Sequence, residues 1–333
     1  MVGSVTALVT TPQPDSKPAT TVTTPTGFAD LGVPANIDAG LAAAGFAGPF
    51  AIQTEAIPVA LAGHDVCGRA RTGSGKTLAF GVPMMSKISV PAASGKPHGL
   101  VLVPTRELAL QVSEVLGPIG KQCGIRVLAV YGGADRHKQV VDIEQGVEII
   151  VATPLRLIDL MKSNECDLSA IQVVAIDEAD RMADEGFMPQ VEWIMRHVTG
   201  EHQTMLFSAT LDGQVGNLVK RYMKAPKEIS IDSPTDTVGT MRHLFLAIHH
   251  MDKDRVIANI AAAHGQTVVF CDTKRVCDKV AEALQKLGAN ASALHGDMPQ
   301  NAREKALSKF EKNELKILVA TDVAARGIDI DDV

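Results

Sequence analysis

Aromatic residues are scarce in this chain: they make up 4% of its 333 residues, with Trp193 the single tryptophan and Tyr131 and Tyr222 the two tyrosines. A surface that grips nucleobases by successive ring stacking needs more than that. Cysteine is sparse as well. Cys67, Cys123, Cys166, Cys271 and Cys277 are scattered, the nearest two separated by five residues, which fits neither a disulfide framework nor paired zinc ligands. No apolar run approaches the length that spans a bilayer, and the first lysine is Lys17, so the basic opening of a secretory signal is missing. The expectation is a cytoplasmic protein with reduced thiols and no membrane partner.

Excess positive charge is lacking too. The net charge is −6, which excludes a general attraction to polyphosphate. From Met241 onward there are 13 Lys and Arg against 13 Asp and Glu, leaving 19 basic against 25 acidic residues before it. Any nucleic-acid contact must therefore be local.

What is present is apolar substance, 46% of the residues, enough to bury a large core and to divide into about two domains. Residues 1–26 hold eight Thr and four Pro and read as a disordered tail. Short apolar runs then recur at Asp65–Cys67, Leu100–Val103, Val127–Val130, Glu148–Val151, Val173–Ile176 and Thr204–Phe207, with helical spacing between them. Alternation of this kind predicts a parallel sheet covered on both faces, here over residues 27–232. Ser233–Thr240 has linker composition. A second α/β series follows over 241–333, with strands at Thr267–Cys271, Ser292–Leu294 and Lys316–Ala320. One helix in it puts Val276, Val280, Leu284 and Leu287 on a single face before Gly288 ends it.

Between the first strand and the next helix stands ARTGSGKT, Ala70–Thr77. Gly73 and Gly75 let backbone N–H groups turn inward around phosphate, Lys76 can reach the β- and γ-phosphates, and the Thr77 hydroxyl can bind magnesium. The acidic pair Asp177 and Glu178 directly follows the strand VVAI, at the carboxyl end where open α/β sheets hold ligands. Asp177 suits the metal, and Glu178 suits a proton taken from attacking water. Alone, the loop also fits a plain glycine turn and the pair a helix-capping turn. Together they predict a nucleoside-triphosphate site.

The four residues Asp177–Asp180 read DEAD, and with GFAGPFAIQ (45–53), PTRELA (104–109), Gly132–Gly133, TPLR (153–156), SAT (208–210), VVFCDTKR (268–275), HGDMPQNAR (295–303) and TDVAARGID (321–329) the chain resembles the DEAD-box RNA helicases from about Phe28 to Val333. The resemblance implies two RecA-like parallel-sheet domains in tandem, the second incomplete at its C-terminal end. ATP and Mg2+ are the implied cofactors, and RNA the implied partner, a single strand or short duplex held without sequence preference. It implies ATP contacts from Phe28 (stacking on adenine), Gln53 (reading the adenine edge), Arg71, Thr72, Gly73, Ser74, Gly75, Lys76, Thr77 and, at the ribose, Asp329. Lys76, Asp177 and Glu178 carry catalysis, with Thr77 and Asp177 on the metal. Asp180, Ser208 and Thr210 link nucleotide state to domain closure. RNA contacts fall to Arg106, Gly133, Thr153, Arg156, Lys274, Arg303 and Thr321, groups suited to the sugar-phosphate backbone.

Two departures from the family pattern stand out. Leu155 occupies the third position of TPGR, where the family has Gly, so the backbone there is expected to approach RNA less closely. The sequence also stops at Val333, ahead of the arginine-rich segment the resemblance implies next, a motif that stabilises phosphoryl transfer by about 3 to 5 powers of ten. The expectations are an ATP-dependent RNA helicase or, as the alternative, an ATP- and RNA-binding module with little turnover.

Overall fold

The computed structural model describes residues 27–70, 73–231, 244 and 246–321. The tail 1–26, the linker Ser233–Thr240 and the positions Arg71, Thr72 and Asp329 lie outside the described residues.

Two helices, α1 (Ala35–Ala43) and α2 (Ala51–Leu61), precede the first sheet. Strand and helix then alternate: β1 (Val66–Arg69), α3 (Lys76–Lys87), β2 (Gly99–Leu102), α4 (Arg106–Gln122), β3 (Val127–Val130), α5 (Arg136–Glu144), β4 (Ile149–Ala152), α6 (Pro154–Lys162) and β5 (Val173–Asp177). They continue through α7 (Ala179–Asp184), α8 (Met188–Met195), β6 (Gln203–Ser208), α9 (Gly213–Tyr222) and β7 (Lys227–Ser230). The seven strands pair in the order β3-β4-β2-β5-β6-β1-β7, and every pairing is parallel.

The pleat sorts each strand between two cores. Val101, Ile149, Val173, Met205 and Phe207 face α1 to α4, while Leu100, Leu102, Ile150, Val174, Ile176 and Leu206 face α5 to α9. Strands buried on both faces cannot alternate polar with apolar residues, which is why they read as short apolar runs. The strand missing from the sequence reading is β7: Lys227–Ser230 lies at the sheet edge, pairs only with β1 and is mostly exposed, so it carries no apolar signature.

The second unit repeats the plan on a smaller scale, with α10 (Lys253–His264), β8 (Thr267–Cys271), α11 (Lys274–Lys286), β9 (Ala291–Leu294), α12 (Gln300–Glu311) and β10 (Ile317–Thr321). Its strands run parallel in the order β8-β10-β9. Ile317 and Val319 pack on α10 and α11 through Ala261, Cys277 and Leu284; Leu318 and Ala320 pack on α12 through Phe310. The predicted class, two parallel-sheet α/β domains of RecA type, is the observed one.

Three strand-to-helix turns each place a threonine first. Thr105 after β2 and Thr273 after β8 cap α4 and α11, their hydroxyls accepting hydrogen bonds from Leu108 N and Val276 N at 3.3 Å. Thr153 after β4 opens α6 and spends no side-chain bond on the cap. Polar first turns are thus delivered to the carboxyl ends of strands in both domains.

Candidate functional site

Two clefts open at these strand ends. One, about 690 Å³, belongs to the phosphate loop and is lined by Phe46, Phe50, Gln53, Gly73, Lys76 and Asp177, among others, with Glu311 reaching it from the second domain. The loop leaves β1 and enters α3 through Gly75, whose backbone is left-handed with φ at 83°. A side chain there is excluded twice over, because a Cβ would fall 2.4 Å from Gln53 Nε2. Gln53 itself is 2% exposed, and its amide ties the loop to α2: Nε2 donates to Gly75 O and Oε1 accepts from Phe50 N, each at 2.8 Å. One N–H and one lone pair remain to this amide, which is the capacity an adenine edge requires.

Lys76 and Asp177 meet inside the cavity at 3.4 Å, with side chains 6% and 4% exposed. Burial pushes the Asp177 carboxyl above its ordinary pKa, and Lys76 opposes that shift. The neighbouring Glu178 adopts φ of 52°, a left-handed backbone that is rare for a residue with a Cβ, and it starts α7 from that position. Its carboxylate is 3.2 Å from Arg181 Nη1, and Arg181 Nε donates to Glu185 at 2.8 Å. Arg181 was missed in the sequence although Glu178, Arg181 and Glu185 stand at i, i+3 and i+7, one face of a helix.

Asp180 is joined to the 208–210 turn in both directions. Its backbone N–H donates to Ser208 Oγ at 3.1 Å, and its carboxylate accepts from Ala209 N at 3.3 Å. Thr210 is exposed at the end of that turn. Phe28 does not line the nucleotide cavity. It is 2% exposed within the core under α1 to α4, and the rings at the cavity are Phe46 and the 60% exposed Phe50. Ser74 is half-buried in the loop, and Thr77 stands half-buried at the start of α3.

For Mg2+, the available donors are the Thr77 hydroxyl and the Asp177 carboxylate. Hard oxygens in this small number suit an ion that keeps waters and takes most of its remaining ligands from substrate phosphates. Among the described residues no group of three His, Cys, Asp or Glu side chains is placed to hold a metal ion.

The second cleft, about 1040 Å³, lies between the domains. Arg106, Thr153 and Arg156 line it from the first domain, and Lys274, Arg303 and Thr321 from the second. Six residues distant in sequence thereby share one wall-to-wall space. Gly133 stands just behind the wall, with φ at 92°, where a Cβ would come within 2.6 Å of Arg106 Nη1. Arg156 is held by Gln139 Oε1 at 2.8 Å, and Lys274 by Asp297 at 2.6 Å. Leu155 is 57% exposed on the same wall.

Among the described residues, an ion pair and a hydrogen bond cross the cleft. Arg303 Nη2 lies 2.8 Å from Glu107 Oε1, with side chains 8% and 7% exposed, and Arg106 Nη1 donates to Gln300 Oε1 at 3.2 Å. Burial, together with nearby Arg106 and Arg181, draws the Arg303 pKa down, while Glu107 draws it up. Glu107 and Gln300 were not singled out in the sequence. Only the docking of α4 against α12 brings Glu107 to Arg303 and Gln300 to Arg106.

Comparison with known proteins agrees with this arrangement. The DEAD/DEAH box helicase family model matches residues 50–218, and the helicase conserved C-terminal domain matches residues 252–333. The chain is 41% identical over 311 residues to the ATP-dependent RNA helicase DeaD of Klebsiella pneumoniae, covering 92% of this chain and 48% of that protein. It is 38% identical to the DEAD-box ATP-dependent RNA helicase CshA of Bacillus licheniformis, covering 92% of this chain and 63% of the other. The chain therefore spans about half to two thirds of these curated relatives. Among solved structures, Saccharomyces cerevisiae Dbp5 bound to RNA and ADP BeF3 aligns with a TM-score of 0.82 at 28% identity, over 93% of this chain and 79% of that one. With one cleft built on the phosphate loop, a second between two parallel sheets, and both family models matched in order, the chain belongs to the DEAD/DEAH box helicase family.

Proposed function

We propose that this chain forms the core of a cytoplasmic ATP-dependent RNA helicase that holds RNA by its backbone and remodels short duplexes. The observation that carries the reading is the convergence of Arg106, Thr153, Arg156, Lys274, Arg303 and Thr321 on one interdomain cleft beside a separate nucleotide cavity. Cations and hydroxyls in such a cleft position a strand without reading base edges. RNA and a nucleotide analogue are bound together in the aligned Dbp5 structure, which supports the pairing of ligands. The five free cysteines fit a reducing compartment.

In this mechanism the loop amides of residues 71–75 and Lys76 hold the phosphates, with adenine against Gln53 and the ring of Phe50 or Phe28. Thr77 and Asp177 would hold Mg2+, which neutralises charge on the β- and γ-phosphates when bound. Glu178, its carboxylate oriented by Arg181, accepts a proton from the attacking water. Asp329 contributes from the second domain. Asp180, Ser208 and Thr210 connect the nucleotide cavity to the adjoining turn. RNA favours the closed arrangement because its contacts come from both domains, so strand and nucleotide support one another's binding. The test is strand displacement from a short RNA duplex by the full-length protein, with ATP hydrolysis measured alongside. Hydrolysis that rises with RNA, and displacement that requires ATP, support the reading; hydrolysis indifferent to RNA would remove it.

A further inference from the structure

Helix α6 begins in the interdomain cleft, where Leu155, Arg156 and Asp159 line the wall, and runs about 12 Å to Lys162. Lys162 Nζ stands there 5.8 Å from the centroid of the Trp193 ring, and the imidazole of His197 lies against that ring at 3.9 Å, tilted by 33°. Beside this pair the Glu192 carboxylate is shared by Arg196 at 3.3 Å and Arg221 at 2.7 Å. A single carboxylate cannot neutralise two guanidinium groups, and the arginines are 62% and 60% exposed. Lys220 lines the same hollow as Glu192 and Arg221. Asp159 and Glu165 share the single guanidinium of Arg136 and so leave one negative charge beside α6, a smaller excess than that of Lys162, Lys220, Arg196 and Arg221 over Glu192. In a chain with net charge −6, this is a local positive face built around an aromatic pair.

We infer that the face formed by Lys162, Trp193, Arg196 and Arg221 is an auxiliary RNA-backbone site, which takes the strand as it leaves the interdomain cleft along α6. This rests on the reading of the cleft as an RNA site. Arg196, Arg221 and Lys162 meet phosphates, and the edge of the Trp193–His197 pair meets one base. At about 3.4 Å per nucleotide, the length of α6 corresponds to three or four nucleotides beyond the cleft. Charge and continuity with the cleft favour a nucleic-acid strand over an acidic protein. One stacking pair is also all that the low aromatic content allows.

Trp193 is the single tryptophan of these 333 residues, and subtracting the emission of a Trp193→Phe variant isolates the signal of this face. The full-length protein is titrated with fluorescein-labelled oligouridylate of 6 and of 20 nucleotides, in the presence of a non-hydrolysable ATP analogue, across a salt series. Both strands are expected to bind, and only the longer one to quench Trp193. In the variant R196Q/R221Q, the slope of log K against log salt for the 20-mer should fall by about 0.7 for each cation removed. Binding of the 6-mer and basal ATP hydrolysis should stay as they were. R196K/R221K, which keeps both charges, should retain the wild-type slope and so separates lost phosphate contact from damaged packing. Unchanged Trp193 emission on 20-mer binding, or a 20-mer slope that survives in the Gln variant, overturns the inference. If neither strand binds, the cleft reading itself has failed and this one with it. Quenching by polyglutamate but not by RNA overturns it in favour of an acidic protein partner.

Discussion

The nucleotide cavity and the interdomain cleft are assembled in opposite ways. Around the cavity, the loop, Gln53, Asp177 and Glu178 belong to the first domain, and the bonds from Gln53 to Gly75 and from Lys76 to Asp177 form within it. The cleft takes its cations from both domains, and its crossing bonds, Arg303 to Glu107 and Arg106 to Gln300, exist only while the domains are docked. The difference teaches where each function is vulnerable. Under the proposed mechanism, damage to the cavity is damage to chemistry, whereas damage to the cleft acts first on an equilibrium between arrangements.

The largest expected effect is in the cavity. Asp177→Asn removes the charge that would face Mg2+, a loss of several kcal/mol of barrier lowering, and ATP hydrolysis should fall about a thousandfold. Steady-state phosphate release checks this, and duplex binding should remain. Next comes the pair across the cleft. Arg303→Ala leaves Glu107 buried and unpaired, which costs about 3 kcal/mol or more where such pairs are dehydrated. Interdomain energy transfer between dyes on the two domains, with RNA and an ATP analogue present, should report a more open protein. The charge-swapped double variant Glu107→Arg/Arg303→Glu should recover part of the closure, and wild-type closure in Arg303→Ala alone would show that the pair holds nothing together.

A third comparison separates two phenylalanines. Phe28→Ala empties a 2% exposed position and should lower stability by about 3 to 5 kcal/mol, seen as a fall in denaturation midpoint. Phe50→Ala removes a ring already 60% exposed, so stability should hold, while affinity for a fluorescent ATP analogue falls about tenfold if that ring covers adenine. Equal nucleotide affinity in Phe50→Ala, with weakened binding in a folded Phe28 variant, would return adenine stacking to Phe28. The smallest effect is expected at Leu155. Leu155→Gly deletes a 57% exposed side chain from the cleft wall and lets the α6 backbone approach a strand more closely, so RNA affinity should change by about threefold or less. Filter binding at fixed salt measures it.

Much of the cavity was legible because its parts are local patterns. ARTGSGKT must follow a strand and open a helix to work, and the apolar runs around it announce both. Asp177 and Glu178 were placed by the strand before them. What escaped notice was set by contacts at a distance. The Gln53 amide serves Gly75, 22 residues away, and Phe28 is taken up by the core although its segment has no strong period. The edge strand β7 lacked an apolar run because one side of it faces solvent. Arg181 alone among the missed groups had a signal, its helical spacing to Glu178 and Glu185.

The sequence by itself determined the alternation of strands and helices, and with it the parallel sheets, because a strand covered on both faces must be apolar throughout and a turn at its carboxyl end must be polar. It also fixed the chemistry of each turn: glycines and lysine at one, paired carboxylates at another, threonine and a cation at those that open α4, α6 and α11. Only the tertiary structure decided which of these turns face one another. Glu107 meets Arg303, and Lys162 meets Trp193, through the docking of helices whose separation in sequence carries no record of their nearness in space.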